Sequence, residues 1–174
     1  IRDLQLQGAC ISCWGVGTNL VTSKGHPALD GVYKMSAIKP HHEKWQYKIK
    51  LSEQMIKITH PGILQVRRFQ NHEGKYLGDA IYDLNLSKEN QSWEIIDPLD
   101  ISKKKSFSKK SSYRNLLVPI FRKGKLIYDS PSLGTIRQRV QTELSRFHSG
   151  LKRFLFPHQY PVGLEETIYQ FKLK

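Results

Sequence analysis

The chain has 174 residues, with 28 Lys and Arg against 15 Asp and Glu, so that its formal charge is +13. Its hydrophobic residues (39%) and aromatic residues (10%) are enough for a core, which excludes a wholly disordered protein. No run approaches the roughly 18 apolar residues that a membrane-spanning helix needs. Two cysteines cannot staple a secreted scaffold and indicate a reducing, cytoplasmic setting. The start at Ile1, without Met or a signal pattern, predicts a segment of a longer protein or a processed product.

The first predicted element is a buried strand over the apolar residues 9–14. Within it, Cys10 and Cys13 are interpreted as small buried thiols, because a zinc site would need two further ligands. Glycines at 15 and 17 end the run, and residues 19–22 begin a helical turn.

Two further strands are predicted around a connection. Residues 31–38 are rich in β-branched and aromatic side chains, and residues 45–51 alternate in polarity. Between them, His41 and His42 are interpreted as loop residues rather than metal ligands, since adjacent residues on a strand face opposite ways. A domain boundary is predicted near Pro40.

Two β-hairpins follow in the sequence. In the first, residues 63–70 and 75–82 are strand-like, and the turn residues 71–74 join them. In the second, residues 116–121 and 126–128 flank a turn that contains a glycine.

The hydrophobic period changes to three and four residues after Ser132, which predicts a long amphipathic helix with Ser132 as its N-cap and Gly150 as its stop signal. A short closing helix is predicted over residues 164–173. The apolar face of the long helix consists of Leu133, Ile136, Val140, Leu144 and Phe147.

Nearly half of the excess charge lies in residues 102–114, where five lysines and one arginine carry +6. Such a Ser/Lys-rich stretch is typical of a mobile, solvated loop. A basic patch that binds nucleic acid or a polyphosphate is the alternative.

The motif that most clearly suggests a ligand-binding role is Gly15-Val16-Gly17-Thr18, which follows the predicted strand. Glycines let the backbone turn its N–H groups towards an anion, and a threonine hydroxyl adds a donor, so the motif predicts a phosphate-binding turn. It lacks the lysine of a Walker loop and the third glycine of a dinucleotide fingerprint.

No catalytic residue and no metal site can be assigned from the residue pattern, because no Ser/His/Asp set or carboxylate pair stands at a suitable spacing. His148 and His158 are close in sequence to Arg146 and to the basic pair at 152–153, which suits either an anion contact or an ordinary surface role.

The ordered string of motifs closely resembles nicotinate phosphoribosyltransferases over nearly the whole chain. The matching segments are residues 14–23, 27–34, 49–52, 57–62, 116–119, 124–126, 144–148, 152–153 and 157–162.

The resemblance implies the carboxy-terminal third or so of a larger enzyme. The implied fold is an α/β barrel remnant, the last strand and loop portion in residues 1–39, followed by a carboxy-terminal α+β domain in residues 40–174 with β-hairpins and one long amphipathic helix. The implied reaction joins nicotinate to 5-phosphoribosyl-1-diphosphate, giving nicotinate mononucleotide and diphosphate. ATP hydrolysis with Mg²⁺ is coupled to this step of NAD salvage, a cytoplasmic homodimer is usual, and neither a membrane nor nucleic acid is expected as a partner.

The resemblance also assigns residue roles. Gly15, Val16, Gly17 and Thr18 match the loop that holds the 5-phosphate of the phosphoribosyl group. The family's phosphorylated histidine, nicotinate-clamping arginine and most diphosphate contacts are expected upstream, so the chain alone is expected to be inactive. Residues 102–114 match no family motif and are interpreted as a loop insertion. Residues 157–161 are interpreted as docking the carboxy-terminal domain onto the barrel.

Three alternatives stay open at the level of sequence. One is a basic nucleic-acid-binding module built on residues 103–114. The second is a non-catalytic regulatory or assembly piece. The third is a related type II enzyme that acts on nicotinamide or quinolinate.

Overall fold

The structure, a computed structural model, describes residues 1–28, 31–87 and 92–173. The chain divides into two compact units, Ile1–Lys34 and Met35–Lys174. Helix α1 (Arg2–Leu6) and helix α2 (Thr18–Val21) belong to the first unit.

The strand predicted over residues 9–14 is wrong, because these residues are coil and mostly exposed. A strand needs neighbours to pair its backbone N–H and C=O groups. In residues 1–28 and 31–34 the structure describes no strand that could supply such a neighbour. The helical turn predicted at residues 19–22 is confirmed. It is helix α2, which begins one residue earlier than predicted.

The second unit opens with a small antiparallel pair of strands, β1 (Ala37–Ile38) and β2 (Gln46–Tyr47). The strands predicted over residues 31–38 and 45–51 are therefore present only as these two-residue segments. A single 3₁₀ turn follows at Met55–Lys57.

A six-stranded sheet forms the body of the second unit, in the spatial order β6-β5-β10-β4-β3-β7. Its strands are β3 (Leu64–Gln70), β4 (Tyr76–Asp83), β5 (Trp93–Ile96), β6 (Lys104–Phe107), β7 (Ser112–Asn115) and β10 (Val162–Glu165).

The first predicted hairpin is confirmed as the antiparallel pair β3 and β4. Its turn is closed by the Asn71 side chain, whose Oδ1 accepts hydrogen bonds from the N–H groups of Glu73 (3.0 Å) and Lys75 (2.9 Å). Gly74 supplies the left-handed backbone, with φ +75°.

Strand β10 lies at the centre of the sheet although it follows the other five in sequence. It pairs in parallel with β4 and antiparallel with β5. Helix α4 (Glu166–Leu173) begins directly after it. The closing helix predicted over residues 164–173 is thus correct in its second part, while its first two residues belong to the strand.

The sheet must curl, because its two end strands are consecutive in sequence. In a flat sheet, five spacings of about 4.8 Å would separate β6 from β7 by about 24 Å. Only residues 108–111 connect them, and the chain from Phe107 to Ser112 reaches at most about 17 Å. The ring of Phe69 on β3 accordingly stacks on Phe107 of β6, with ring centroids 4.2 Å apart. The sheet is a curled half-barrel.

Two groups of buried side chains hold the sheet. Burying a large apolar side chain contributes about 1.5–3 kcal/mol, so these groups are the main source of stability. The group within the curl is Phe69, Ala80, Tyr82, Trp93, Ile95 and Phe107. The group packed with α4 is Ile96, Leu164, Ile168 and Tyr169.

The loop predicted over residues 102–114 is wrong, because this stretch forms β6 and β7 at the two ends of the sheet. Along β6, Phe107 is buried and Lys105 is half-buried, while Lys104 and Ser106, which alternate with them, are exposed. A long aliphatic stem lets a lysine occupy such a position. The alternation of exposed and buried side chains that is typical of a strand is therefore present in β6, although its high lysine content favoured the prediction of a loop.

The second predicted hairpin is present in shorter form, as β8 (Phe121–Arg122) and β9 (Lys125–Leu126). Lys123 and Gly124 have φ +50° and +75°, which is the two-residue turn that matches the twist of a hairpin.

Helix α3 (Leu133–Arg146) begins at the predicted N-cap, since Ser132 Oγ accepts a hydrogen bond from the Thr135 N–H at 3.2 Å. The predicted stop at Gly150 is wrong. The helix ends at Arg146 because Phe147 is extended, and Gly150 lies in a separate 3₁₀ turn. Four residues of the predicted apolar face are exposed in this chain: Leu133, Ile136, Val140 and Leu144.

Candidate functional site

The predicted phosphate turn lies in the first unit, immediately before and at the start of α2. Gly17 is the N-cap of this helix, and its C=O accepts hydrogen bonds from the N–H groups of Leu20 and Val21, each at 3.2 Å. Gly15, Val16, Gly17 and Thr18 are all exposed.

The N–H groups of this turn are available to a ligand. Within the described chain, none of the four N–H groups at residues 15–18 donates to a backbone or side-chain acceptor. A Cβ added at Gly15 or Gly17 would meet no atom within 4 Å, and neither glycine has a positive φ. The fold of this chain therefore does not require glycine at either position, which leaves close approach of a ligand as a reason for it.

The two cysteines are not the buried thiols that the sequence predicted. Cys10 and Cys13 are both free and exposed, because the segment that carries them is coil. His41 and His42 lie in the turn between β1 and β2, in agreement with the interpretation of them as loop residues. The residues that the structure describes contain no group of three or more His, Cys, Asp or Glu side chains arranged to hold a metal. No described helix is long and apolar enough to cross a bilayer.

His148 and His158 come together, with parallel rings (interplanar angle 7°) whose centroids are 6.0 Å apart. His148 Nδ1 accepts a hydrogen bond from the Gly150 N–H at 3.1 Å, which caps the 3₁₀ turn at Ser149–Lys152. The ring of His158 lies so close to Gly150 that a Cβ there would collide with it. These histidines therefore shape the turn after α3, a role that their spacing did not reveal.

An ion pair on the sheet, not predicted from the sequence, positions the segment before β10. Arg68 donates to both carboxylate oxygens of Asp79, at 2.9 and 2.7 Å, and the Tyr160 hydroxyl donates to Asp79 Oδ1 at 2.8 Å. The hydrogen bonds to Asp79 raise the pKa of Arg68. Burial raises the pKa of Tyr160, and the Asp79 carboxylate adds to that effect.

The same cluster fastens the end of α3 to the sheet. Glu143 on α3 accepts hydrogen bonds from Arg114 of β7 and, at 2.6 Å, from the Tyr76 hydroxyl. Burial alone would raise the pKa of Glu143, but the hydrogen bonds from Arg114 and Tyr76 outweigh it, so the pKa is lowered. The Phe147 ring packs edge-on against Tyr76 and Tyr160, with centroid distances of 5.0 and 5.1 Å. This cluster therefore connects α3 and the segment before β10 to strands β3, β4 and β7.

A buried arginine lies inside the curl of the sheet. Arg67 is 4% exposed, and its guanidinium carbon lies 3.9, 4.5 and 4.8 Å from the ring centroids of Tyr113, Trp93 and Tyr82. Stacking a cation on aromatic faces stabilises it where water is excluded. Its Nε donates to Asn115 Oδ1 at 3.2 Å, which ties β3 to the end strand β7.

The Asp83 carboxylate holds the backbone just before β3 and just after β4. It is fully buried, and its carboxylate accepts hydrogen bonds from four donors. They are the Tyr47 hydroxyl (2.9 Å) and the N–H groups of Ile63 (2.6 Å), Asn85 (2.7 Å) and Leu86 (3.0 Å). Gly62, with φ +116°, lets the backbone pass directly over this carboxylate, where a Cβ would collide with it.

The stability of the fold is expected to depend on pH through His60. Burial lowers the pKa of His60 to about 4, and the Lys172 ammonium, 3.4 Å from its Nδ1, adds to the effect. Since the unfolded chain binds the proton near pH 6.5, the free energy of unfolding should decrease as the pH falls from about 6.5 towards 4. Urea unfolding at several pH values measures this slope.

The variant His60→Gln keeps an acceptor for Lys172 but removes the titrating ring, so its slope over this range should be smaller. The matched control is His72→Gln, because His72 is exposed in the β3–β4 turn and should not change the slope. An equal slope for the wild-type chain and His60→Gln would contradict the prediction.

Comparison with known proteins connects this fold to a family. The sequence profile of the nicotinate phosphoribosyltransferase C-terminal domain matches residues 64–172, which include all six strands of the curled sheet. The chain therefore belongs to the family defined by that domain. The match confirms the resemblance seen in the sequence.

Individual relatives extend the similarity to the rest of the chain. A nicotinate phosphoribosyltransferase of Bacillus subtilis is 37% identical across all of this chain and 36% of its own length. One of Caenorhabditis elegans is 32% identical, over 98% of this chain and 30% of its own. A crystal structure of the human nicotinic acid phosphoribosyltransferase covers 65% of this chain and 23% of its own, with 24% identity and a TM-score of 0.56. The chain thus spans about a third of the length of the curated relatives.

Proposed function

We propose that this chain is part of a nicotinate phosphoribosyltransferase that forms nicotinate mononucleotide and diphosphate from nicotinate and 5-phosphoribosyl-1-diphosphate, with ATP hydrolysis, in NAD salvage. The observation that carries the proposal is the family match over residues 64–172, together with relatives of that name along the whole chain. Residues 1–39 would be the last strand and loop portion of the enzyme's α/β barrel, and residues 40–174 its carboxy-terminal domain. The proposed enzyme is a cytoplasmic homodimer.

The role proposed for Gly15, Val16, Gly17 and Thr18 is to bind the 5-phosphate of the phosphoribosyl group. The N–H groups of this turn that have no acceptor in the described chain, and the exposed Thr18 hydroxyl, support it. Such a turn positions rather than reacts, because it fixes the ribose so that C1 meets the nicotinate nitrogen. Stabilising the charge that develops at the ribose and on the departing diphosphate is left to other parts of the enzyme.

ATP and Mg²⁺ belong to the proposal only at the level of the whole enzyme. The described residues do not form a carboxylate or histidine group that fits Mg²⁺, so no residue of this chain is assigned to it. No catalytic residue is assigned either. We expect the 174-residue polypeptide by itself to form no nicotinate mononucleotide.

The alternative of a nucleic-acid-binding module is not supported by the contacts of the basic stretch. Four of its six cations are engaged within the chain. Lys103 pairs with Asp100, Lys104 pairs with Glu94, Lys105 donates to the Leu77 C=O and Arg114 pairs with Glu143.

The variant Gly17→Val tests the phosphate assignment. In a nicotinate phosphoribosyltransferase that contains this sequence, we expect KM for 5-phosphoribosyl-1-diphosphate to rise by about tenfold or more, because the side chain occupies the space where the phosphate approaches and costs a charge-assisted hydrogen bond. Steady-state kinetics at saturating nicotinate measure the effect.

The control is Gly31→Val, which adds the same side chain at another glycine of the first unit with open space and no positive φ. Its KM should not change. Since Gly17 has φ −85°, valine should be tolerated by the fold, and circular dichroism checks this. An unchanged KM in Gly17→Val would overturn the assignment.

A further inference from the structure

A cavity of about 310 Å³ lies in the second unit, beside the end strand β6. One side consists of Lys103, Lys104 and Lys105 from the basic stretch. The opposite side consists of residues 159–162, which lead into the central strand β10, and Ile95 lies between them. The structure thus brings together two segments to which the proposed function gives no chemistry.

Of the three lysines that line the cavity, Lys105 is the one without an acidic partner. Its Nζ donates to the Leu77 C=O at 2.7 Å, which uses one of its three donors. In the described chain no carboxylate lies within ion-pair distance of it, whereas Lys103 and Lys104 each have an acidic partner. Burial lowers the pKa of Lys105, as expected of a half-buried ammonium without a counter-ion.

The electrostatics of the cavity favour an anion. Lys103 and Lys104 are paired with Asp100 and Glu94, so the lining cation without an acidic partner is Lys105, and the one lining carboxylate among the described residues, that of Asp97, is not within ion-pair distance of it. Asp97 Oδ1 already accepts a hydrogen bond from the Leu99 N–H at 2.8 Å. An anionic group beside Lys105 would take the two remaining N–H donors and compensate the buried charge.

The rest of the cavity favours an apolar body on that anion. Ile95, Pro161 and Val162 present hydrocarbon, and the Tyr160 hydroxyl is committed to Asp79. A cavity of about 150 Å³ holds benzene, and ligand sites begin at about 300 Å³, so the space suits one ring with a small charged head.

We propose that this cavity is a binding site for a small anion that carries a single aromatic ring, either an aromatic carboxylate or a phosphate monoester. The site is independent of the turn at residues 15–18 and of the proposed reaction. Its ligand would be recognised by charge at Lys105 and by packing against residues 160–162.

Probes that differ only in charge test the proposal. Titration of the ¹⁵N-labelled chain with benzoate should give saturable shifts at residues around the cavity, with a Kd on the order of 1 mM, as expected for so small a ligand. Benzamide, the neutral isostere, should bind at least about tenfold more weakly, because it loses the charge-assisted hydrogen bond. Phenyl phosphate shows which head group is preferred, and tighter binding of either anion supports the site.

The variant Lys105→Met keeps the stem but removes the charge, and should weaken binding of the preferred anion about tenfold. Lys109→Met is the matched control, because Lys109 belongs to the same basic stretch but does not line this cavity. It should bind as the wild type does. Equal binding of benzoate and benzamide, no saturation by either anion, or equal losses in the two variants would overturn the proposal. The first two results do not depend on how the variants fold.

Discussion

Replacing Gly163 by alanine should lower the free energy of unfolding by about 3 kcal/mol or more. Gly163 is buried in the central strand β10, and an added Cβ would lie 2.7 Å from the Ile96 carbonyl oxygen and 2.9 Å from its carbonyl carbon. Overpacking in a core costs about 1–3 kcal/mol. The contact here is with backbone that is fixed by the hydrogen bonds between strands, and such backbone can shift less than a side chain can. Chemical denaturation monitored by tryptophan fluorescence measures the loss.

The comparison is with Gly134→Ala in helix α3. There the nearest atom to the added Cβ is Ser132 Oγ at 3.9 Å, so nothing has to move. Alanine should stabilise the chain by about 0.5–1 kcal/mol because glycine is a poor helix former. If the two variants have the same stability, the close contact at β10 does not exist in solution.

The second large effect is expected for Asp83→Ala, which should destabilise the chain by about 3 kcal/mol or more. The substitution leaves the Tyr47 hydroxyl and three backbone N–H groups without their acceptor. An unsatisfied buried donor costs about 1–3 kcal/mol, and small movements that admit water recover only part of it. Chemical denaturation measures the loss of stability, and NMR shows whether the contacts of Tyr47 are lost.

Asp100→Ala is the matched control, because Asp100 also accepts hydrogen bonds from its own turn, from the Ser102 N–H and hydroxyl. The Asp100 side chain is 41% exposed, so water replaces the lost acceptor and the expected loss of stability is much smaller than for Asp83→Ala. Similar losses in Asp83→Ala and Asp100→Ala would show that the buried acceptor is not what stabilises the entry into the sheet.

The features predicted correctly from the sequence are those encoded within a few residues. The β3–β4 hairpin was predictable because Asn71 and Gly74 close its turn locally, and the start of α3 because Ser132 caps its own helix. A turn or a cap requires nothing from distant parts of the chain. The family resemblance was likewise readable, because it depends on the order of motifs and not on contacts.

The features that were missed depend on partners far away in sequence. The apolar residues 9–14 look like a strand, but no described strand of that unit pairs with them. Conversely, residues 104–107 look like a solvated loop, and they form a strand because β5 is available to pair with them. The ion pair between Arg68 and Asp79 and the acceptor role of Asp83 also had no local signal, since neighbours on adjacent strands decide them.

The position of β10 has a consequence for how the chain acquires its fold during synthesis. The strand joins β4 to β5, yet about 65 residues separate β5 from β10, and contacts of such long sequence separation form slowly. Until residue 165 has left the ribosome, β4 and β5 each expose an edge that is ready to pair with other chains. A nascent chain of this kind is therefore most exposed to pairing with other chains before its central strand has been made.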